Sequence, residues 1–317
     1  MDDTFTDMAD PCVLEFENHI YVYPTASQSD FSVWSAALPE DRDASFSPSD
    51  LTFSKSPEPV LTPSGGCLIT TIVPALGKGT LTWAPHVTYD EKSAKFYMYF
   101  SKCLNLYVAS SSSPTGPFGD EKFLQYLAID PMLFHDDDTG KDYLYYADIN
   151  LPRMWFGEES IYVQSMAAPD TFSDEPAVKL LKPSQHWWEY FRSSAIAPRG
   201  INEGPWLFKK SEAVYLMYSG AGADTFHYNL GYATCDTPMG PCEKSEQNPI
   251  SVPQKPQEAG VFGPGHHAVW TDGETGKLWV FYHQKDSQDN GVWDRRICVD
   301  EMRFEEGGEL LVPVTRG

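Results

Sequence analysis

Three carboxylates stand out because of their chain neighbours. Asp10 lies in Ala-Asp-Pro, Asp130 in Ile-Asp-Pro and Glu203 in Glu-Gly-Pro, each where a tight turn feeds a strand-like run. A charge at the head of a buried strand is costly unless something uses it. Two further segments share the construction: Trp-Ala-Pro with Trp83, and Gly-Pro-Gly-His-His with His266. Like charges crowded in a partly dry pocket cannot all keep ordinary pKa values. One is pushed up and can donate a proton, while a neighbour that stays ionised can activate water. Hydrolysis of a glycosidic bond needs this division of labour. Trp83 adds a flat apolar face for a sugar ring, with core packing the competing use of the same indole.

A repeat would bring these positions together. Aromatic-rich runs with period-two alternation recur at 19–27 (HIYVYPTAS), 95–102, 142–148, 213–221 and 277–284. Such alternation predicts strands. Each run follows a shorter strand and a polar hairpin, and its leading aromatic lies 11 to 14 residues beyond the signature residue (Tyr21 against Asp10, Tyr97 against Trp83). Two downstream strands end alike, in Ser-Pro-Thr-Gly-Pro at 113–117 and Thr-Pro-Met-Gly-Pro at 237–241. With no convincing amphipathic helix between copies, the reading is all-β, a single five-bladed β-propeller over residues 1–317. The innermost strands of a propeller run along its channel, so Asp10, Trp83, Asp130, Glu203 and His266 would ring one mouth. A β-sandwich is the competing fold, and it leaves the shared signature unexplained.

Composition narrows the partners. With 23 basic and 45 acidic residues the net charge is −22, which argues against nucleic acid, whose binding rests on Lys and Arg. No apolar run reaches the roughly 18 residues of a membrane-spanning helix. The polar, acidic start MDDTFTDMADP is unlike a secretory leader, so the expected location is the cytoplasm, or outside the cell if a leader has been removed. The six cysteines are scattered and mostly in strand-like runs, which predicts buried free thiols; Cys235 and Cys242 could pair across a turn. The acidic stretch HDDDTGKD (135–142) reads as a solvated hairpin, since it lacks the spacing of a calcium loop. In HWWEYFRSS (186–194) at most one of Trp187 and Trp188 can face a sugar.

In this order and spacing the five segments resemble glycoside hydrolase family 43, over about residues 8–312. The resemblance implies a five-bladed propeller that hydrolyses α-L-arabinofuranosyl or β-D-xylosyl linkages with inversion, on plant oligosaccharide or polysaccharide. It matches Asp10 to the general base, Glu203 to the general acid, and Asp130 to a third carboxylate that orients the acid and raises its pKa. It implies substrate contacts from Trp83, His266 and Arg295, with Arg296 the alternative to Arg295. It also implies no required cofactor, with a calcium held through water near His266 as a possible addition. Invertase-like propellers are a weaker match. Exo action is expected, with the long segment 64–79 able to wall off one end of the pocket. The alternatives are an endo-acting arabinanase and a non-catalytic glycan-binding propeller. Little precedes Asp10, so ring closure is expected to rely on the C-terminal stretch GELLVPV.

Overall fold

A computed structural model describes residues 5–27, 29–67, 81–149, 158–191, 199–253, 255–288 and 294–316. Most of the segment 64–79 and the end of 186–194 lie outside these residues. Among the described residues there is no α-helix, and the chain is all-β.

The strands follow one another in antiparallel meanders. The first runs through Ala9–Phe16, His19–Thr25, Trp34–Ala37 and Ser54–Lys55. The second comprises Thr82–Asp90, Lys95–Lys102, Asn105–Ser111 and Gly119–Tyr126. The third has Ala128–Asp136, Lys141–Asp148 and Glu158–Ala168, with Thr171–Phe172 and Val178–Leu181 outermost. The fourth is Arg199–Lys210, Ala213–Gly220, Asn229–Cys235 and Cys242–Lys244. The last is Phe262–Thr271, Leu278–Lys285, Arg295–Phe304 and Leu310–Pro313. These make four hydrogen-bonded sheets, because a short parallel pairing of Glu158 and Glu159 with Gly200 and Ile201 joins the third and fourth meanders into one. The aromatic runs are the second strand of each meander. The leading strands before them are longer than expected, because each continues through the signature instead of starting after it.

Hydrophobic layers lie between consecutive meanders. Val87, Phe96 and Met98 meet Cys12, Tyr23 and Phe31. Leu106 and Val108 meet Leu133 and Leu144, and Tyr145 and Val163 meet Leu216 and Tyr218. Met217 and Leu230 meet Val280 and Tyr282, and Phe281 and Ile297 meet Ile20 and Val22. That last layer brings the end of the chain back to its beginning. Each fully buried side chain of this size contributes roughly 1.5–3 kcal/mol.

Tyrosines pin neighbouring meanders together at their outer turns. The hydroxyls of Tyr23, Tyr99 and Tyr145 donate to the carbonyls of Pro114 at 2.7 Å, Pro169 at 2.5 Å and Pro238 at 2.6 Å. The two Ser/Thr-Pro-x-Gly-Pro turns supply Pro114 and Pro238, which gives that shared ending a physical purpose. The C-terminal stretch does not make the closing contact expected of it: as the outermost strand of the last meander it pairs with Ser251–Val252 and packs in the layer shared with the fourth meander. The inner contact comes from the other end of the chain: Thr6 bridges Arg296, and the Met8 amide donates to the Arg295 carbonyl at 2.9 Å.

The cysteines depart from the thiol reading. Cys67 pairs with Cys103 and Cys235 with Cys242, leaving Cys12 and Cys298 as buried thiols outside both bridges. Cys235 and Cys242 sit directly opposite in neighbouring strands and pair across the turn between them, the alternative their spacing offered; the pairing of Cys67 with Cys103, 36 residues apart, had no such signal. HDDDTGKD is the hairpin between the first two strands of the third meander, closed by Thr139 and Gly140 amides on the Asp136 carbonyl.

Candidate active site

The five signatures share one backbone device. Asp10, Ala84, Asp130, Gly204 and His266 all have positive φ, between 44° and 56°, and each meander has a register shift at this point. A bulge leaves one residue outside the ladder. At four of the five the next residue is proline, which has no N–H to leave unpaired. Left-handed backbone costs a non-glycine residue about 1–2 kcal/mol, so four side chains are held here against their preference. Equivalence by geometry therefore differs from equivalence by motif. Trp83 and Glu203 each sit one place before the bulged residue, whereas Asp10, Asp130 and His266 occupy it.

Side chains from the preceding meander hold these bulges. The amides of Ala84, Asp130 and His266 donate to Thr25 Oγ1 at 2.8 Å, Ser101 Oγ at 3.0 Å and Ser219 Oγ at 2.8 Å. The Asp10 amide lies 3.4 Å from His283 Nδ1, in the last meander. At the remaining position the register offers Ala147, which has no acceptor. There the Gly204 amide donates instead to Asp130 Oδ2, at 3.1 Å. Asp130 is thus tied to the residue beside Glu203. The Trp83 indole also lies close enough to Asp130 to favour its ionised form, so Trp83 supports a carboxylate as well as packing on Ile129 and Ile149.

Asp10, Asp130 and Glu203 are all buried, but their surroundings differ. Burial alone would raise Asp10. The Arg295 guanidinium 3.2 Å from its Oδ1, with His266 and His283, overrides burial and holds this carboxyl well below the usual range. His266 Nδ1 lies 3.4 Å from Asp10 Oδ1 and 3.9 Å from Asp130 Oδ2. Asp130 is raised by burial and by Asp10, against the opposing pull of His266 and the Gly204 amide. Glu203 is pushed well above the usual range by burial, with Asp130 and Glu159 adding to it. One carboxylate at this mouth stays ionised while another keeps its proton.

Several contributors escaped sequence reasoning. Glu159 is buried, is paired with Arg199, and takes a hydrogen bond from Glu203. It is the second residue of its strand, with no turn signature beside it, and the parallel pairing with residues 200–201 brings it here. His283 is fully buried with Nδ1 3.2 Å from Asp10 Oδ1. Its nitrogen serves either that oxygen or the Asp10 amide, according to tautomer. Burial keeps His283 neutral, with its pKa down to about 3. Tyr228 stacks on His283 at 5.5 Å; its buried hydroxyl is near enough to Glu203 to act on it, but has no hydrogen-bond partner among the described residues. Of the two arginines, Arg295 is the one at the site; Arg296 faces away and pairs with Asp286 at 2.5 Å.

Beneath the mouth, Trp206 packs against four of the hydrophobic layers. Beside it lies a cavity of about 20 Å³ lined by His86, Asp130, His266 and His267, room for about one water. Burial lowers His86 to about 4 and His267 to about 3. Neither ring nitrogen of His267 has a hydrogen-bond partner among the described residues. A water suits these groups. A directly bound calcium does not, because it takes six to eight oxygen ligands. Among the described residues no group of three or more His, Cys, Asp or Glu could hold a metal ion.

Comparison with known proteins follows the same lines. The sequence pattern of Glycosyl hydrolases family 43 matches residues 6–310. A curated relative, beta-D-galactofuranosidase xynD of Aspergillus niger, is 29% identical, covering 96% of this chain and 81% of its own. A xylosidase/arabinosidase of Bacteroides ovatus is 25% identical, covering 96% and 94%. Among solved structures, a thermostable family-43 glycoside hydrolase superposes with a TM-score of 0.77 at 29% identity, over 98% of this chain and 94% of that one. With that match over nearly its whole length, the chain belongs to glycosyl hydrolases family 43.

Proposed function

We propose that this protein is an inverting, exo-acting glycosidase that releases α-L-arabinofuranosyl or β-D-xylosyl units from plant cell-wall polysaccharide or its oligosaccharides. The catalytic unit is a single five-bladed propeller over residues 1–317, each meander forming one blade. One observation carries the reading: Asp10 and Glu203 share a mouth but have opposite electrostatic settings. Asp10, ionised beside Arg295, takes a proton from the water that attacks the anomeric carbon. Glu203 gives its proton to the departing glycosidic oxygen. Asp130 acts through the Gly204 amide and through its charge, fixing the acid and keeping it protonated. His266 spans the two aspartates, Trp83 borders the sugar, and Arg295 reaches it while holding Asp10. A pair that flanks the bond with room for water, about 6.5–9.5 Å between carboxyls, inverts the anomer.

A non-catalytic glycan-binding propeller is the competing reading. It leaves four buried carboxylates without a use, and burying charge is expensive. Calcium is given no step: the donors beneath the mouth do not suit direct coordination, and an ion held through water beside His266 would be stripped by a chelator. Enzyme dialysed against a chelator should keep its activity. Two disulfides favour an oxidising compartment over the cytoplasm.

The test is a panel of nitrophenyl α-L-arabinofuranoside, β-D-xyloside and β-D-galactofuranoside with linear arabinan, read by product length and by proton NMR of the first-formed sugar. The galactofuranoside is included because of the Aspergillus relative's name; its ring repeats the arabinofuranose configuration. The proposal expects monosaccharide of inverted configuration. A retained anomer, or oligosaccharide products from arabinan, would contradict it.

A further inference from the structure

Trp187 has no part in the site above, yet it is the second most exposed large hydrophobic among the described residues, at 63%. Its neighbour Trp188 is the buried member of the pair. Trp188 fits where Gly220 and Gly231 leave no side chain, since a Cβ on either would come within 2.7 Å of its ring. Trp187 is displayed by a turn that is built with unusual care. Glu189, fully buried, accepts the amides of Ser184 at 2.6 Å and Gln185 at 2.7 Å, and the Tyr218 hydroxyl at 2.8 Å. Lys244 neutralises that carboxylate and also donates to Asn202 Oδ1 at 2.8 Å. The Trp187 indole N–H donates to the Asn248 carbonyl at 3.1 Å. The ring is therefore anchored by one edge and still largely open to solvent.

Beside it runs an open groove of about 510 Å³ between the outermost strands of the third and fourth meanders. That is within the roughly 300–1,000 Å³ of ligand sites. Lys182, Ser184, Glu243 and Glu246 line it and are exposed. A fixed aromatic face bordered by hydrogen-bonding side chains suits a sugar ring, apolar on its faces and hydroxylated at its rim. An apolar protein partner would instead need a wider hydrophobic surface. The groove is also mechanically continuous with the catalytic mouth. The Ile201 amide donates to the Glu189 carbonyl at 3.0 Å, two residues before Glu203, and Asn202 joins the same network.

We infer that this groove is an accessory glycan-binding site, with Trp187 as its stacking platform, which engages a neutral polysaccharide chain on the face where the catalytic segments begin. The inference rests on the reading of the protein as a polysaccharide-acting glycosidase. Its test separates the two. Affinity electrophoresis in gels containing wheat arabinoxylan or linear arabinan would use the Glu203→Ala protein, which binds without turnover, with and without Trp187→Ala. Loss of one aromatic stack should weaken retardation by about three- to tenfold, and Trp187→Phe should restore most of it. In the otherwise native enzyme, Trp187→Ala should leave kcat/KM on nitrophenyl glycosides unchanged and raise KM on the polysaccharide. Equal retardation with and without Trp187, or retardation in neither gel, overturns the groove. So does an equal loss on the small substrates, which would make Trp187 a support of the mouth. If the native enzyme hydrolyses no glycoside but retardation still depends on Trp187, the catalytic reading fails and the groove stands.

Discussion

At the scale of single residues, Asp10 and Glu203 are made different by what stands next to them. Arg295 outweighs burial at Asp10, whereas Glu203 is pushed the other way by burial and by its neighbours Asp130 and Glu159. The signs give a pH prediction. Arg295→Gln removes the positive charge and leaves the burial, so the Asp10 pKa rises. The limb of kcat/KM that falls on acidification should then move to higher pH. Asp130→Asn removes a negative charge from beside Glu203, lowers the pKa of that acid, and should move the alkaline limb to lower pH. Full pH–rate profiles of both variants check this. An unmoved acid limb in Arg295→Gln would mean that Arg295 does not hold the base ionised. The two aspartates and the glutamate were legible in the sequence because the turn residues beside them repeat. Glu159 and His283 were not, because a polar residue within a regular strand looks the same whether it faces solvent or a neighbouring carboxylate.

At the scale of elements, the second strands were readable from alternation alone: 95–102 is as expected and the bounds of the other four differ by one or two residues. The bulges were not. Motif spacing treated Trp83 and Glu203 as equivalents of Asp10, while the positive φ falls on Ala84 and Gly204; only cross-strand register shows the offset. The turn ending Ser/Thr-Pro-x-Gly-Pro was legible as a repeat, but its partner tyrosines lie in the preceding meander, 91 and 93 residues away in sequence. Their worth can be measured. Tyr145→Phe deletes the donor to the Pro238 carbonyl and keeps the ring, and should cost about 0.5–1.5 kcal/mol in urea unfolding followed by tryptophan fluorescence. Tyr126→Phe, at a position 70% exposed, is the control and should be neutral. Equal midpoints for both would remove the hydroxyl–carbonyl link as a stabilising contact.

At the scale of the whole molecule, hydrophobic layers between successive meanders return to the start of the chain, and that closure is what lets residues 10 and 203 share a mouth. The cysteines test the same arrangement, because strands must be in register for Cys235 and Cys242 to meet. Denatured, unreduced protein should titrate two thiols, Cys12 and Cys298, of its six cysteines; a count of six would refute both bridges. The division of labour between the two carboxylates is tested most directly by comparing leaving groups. Glu203→Ala should lose about 10²–10⁴ in rate on natural glycosides, whose alkoxide must be protonated, and far less on an aryl glycoside with an acidic phenol, which departs largely unaided. Asp10→Ala should be crippled on both, since both need activated water. Equal damage from Glu203→Ala on the two substrates, or an Asp10→Ala enzyme that still turns over natural substrate, would contradict the assignment.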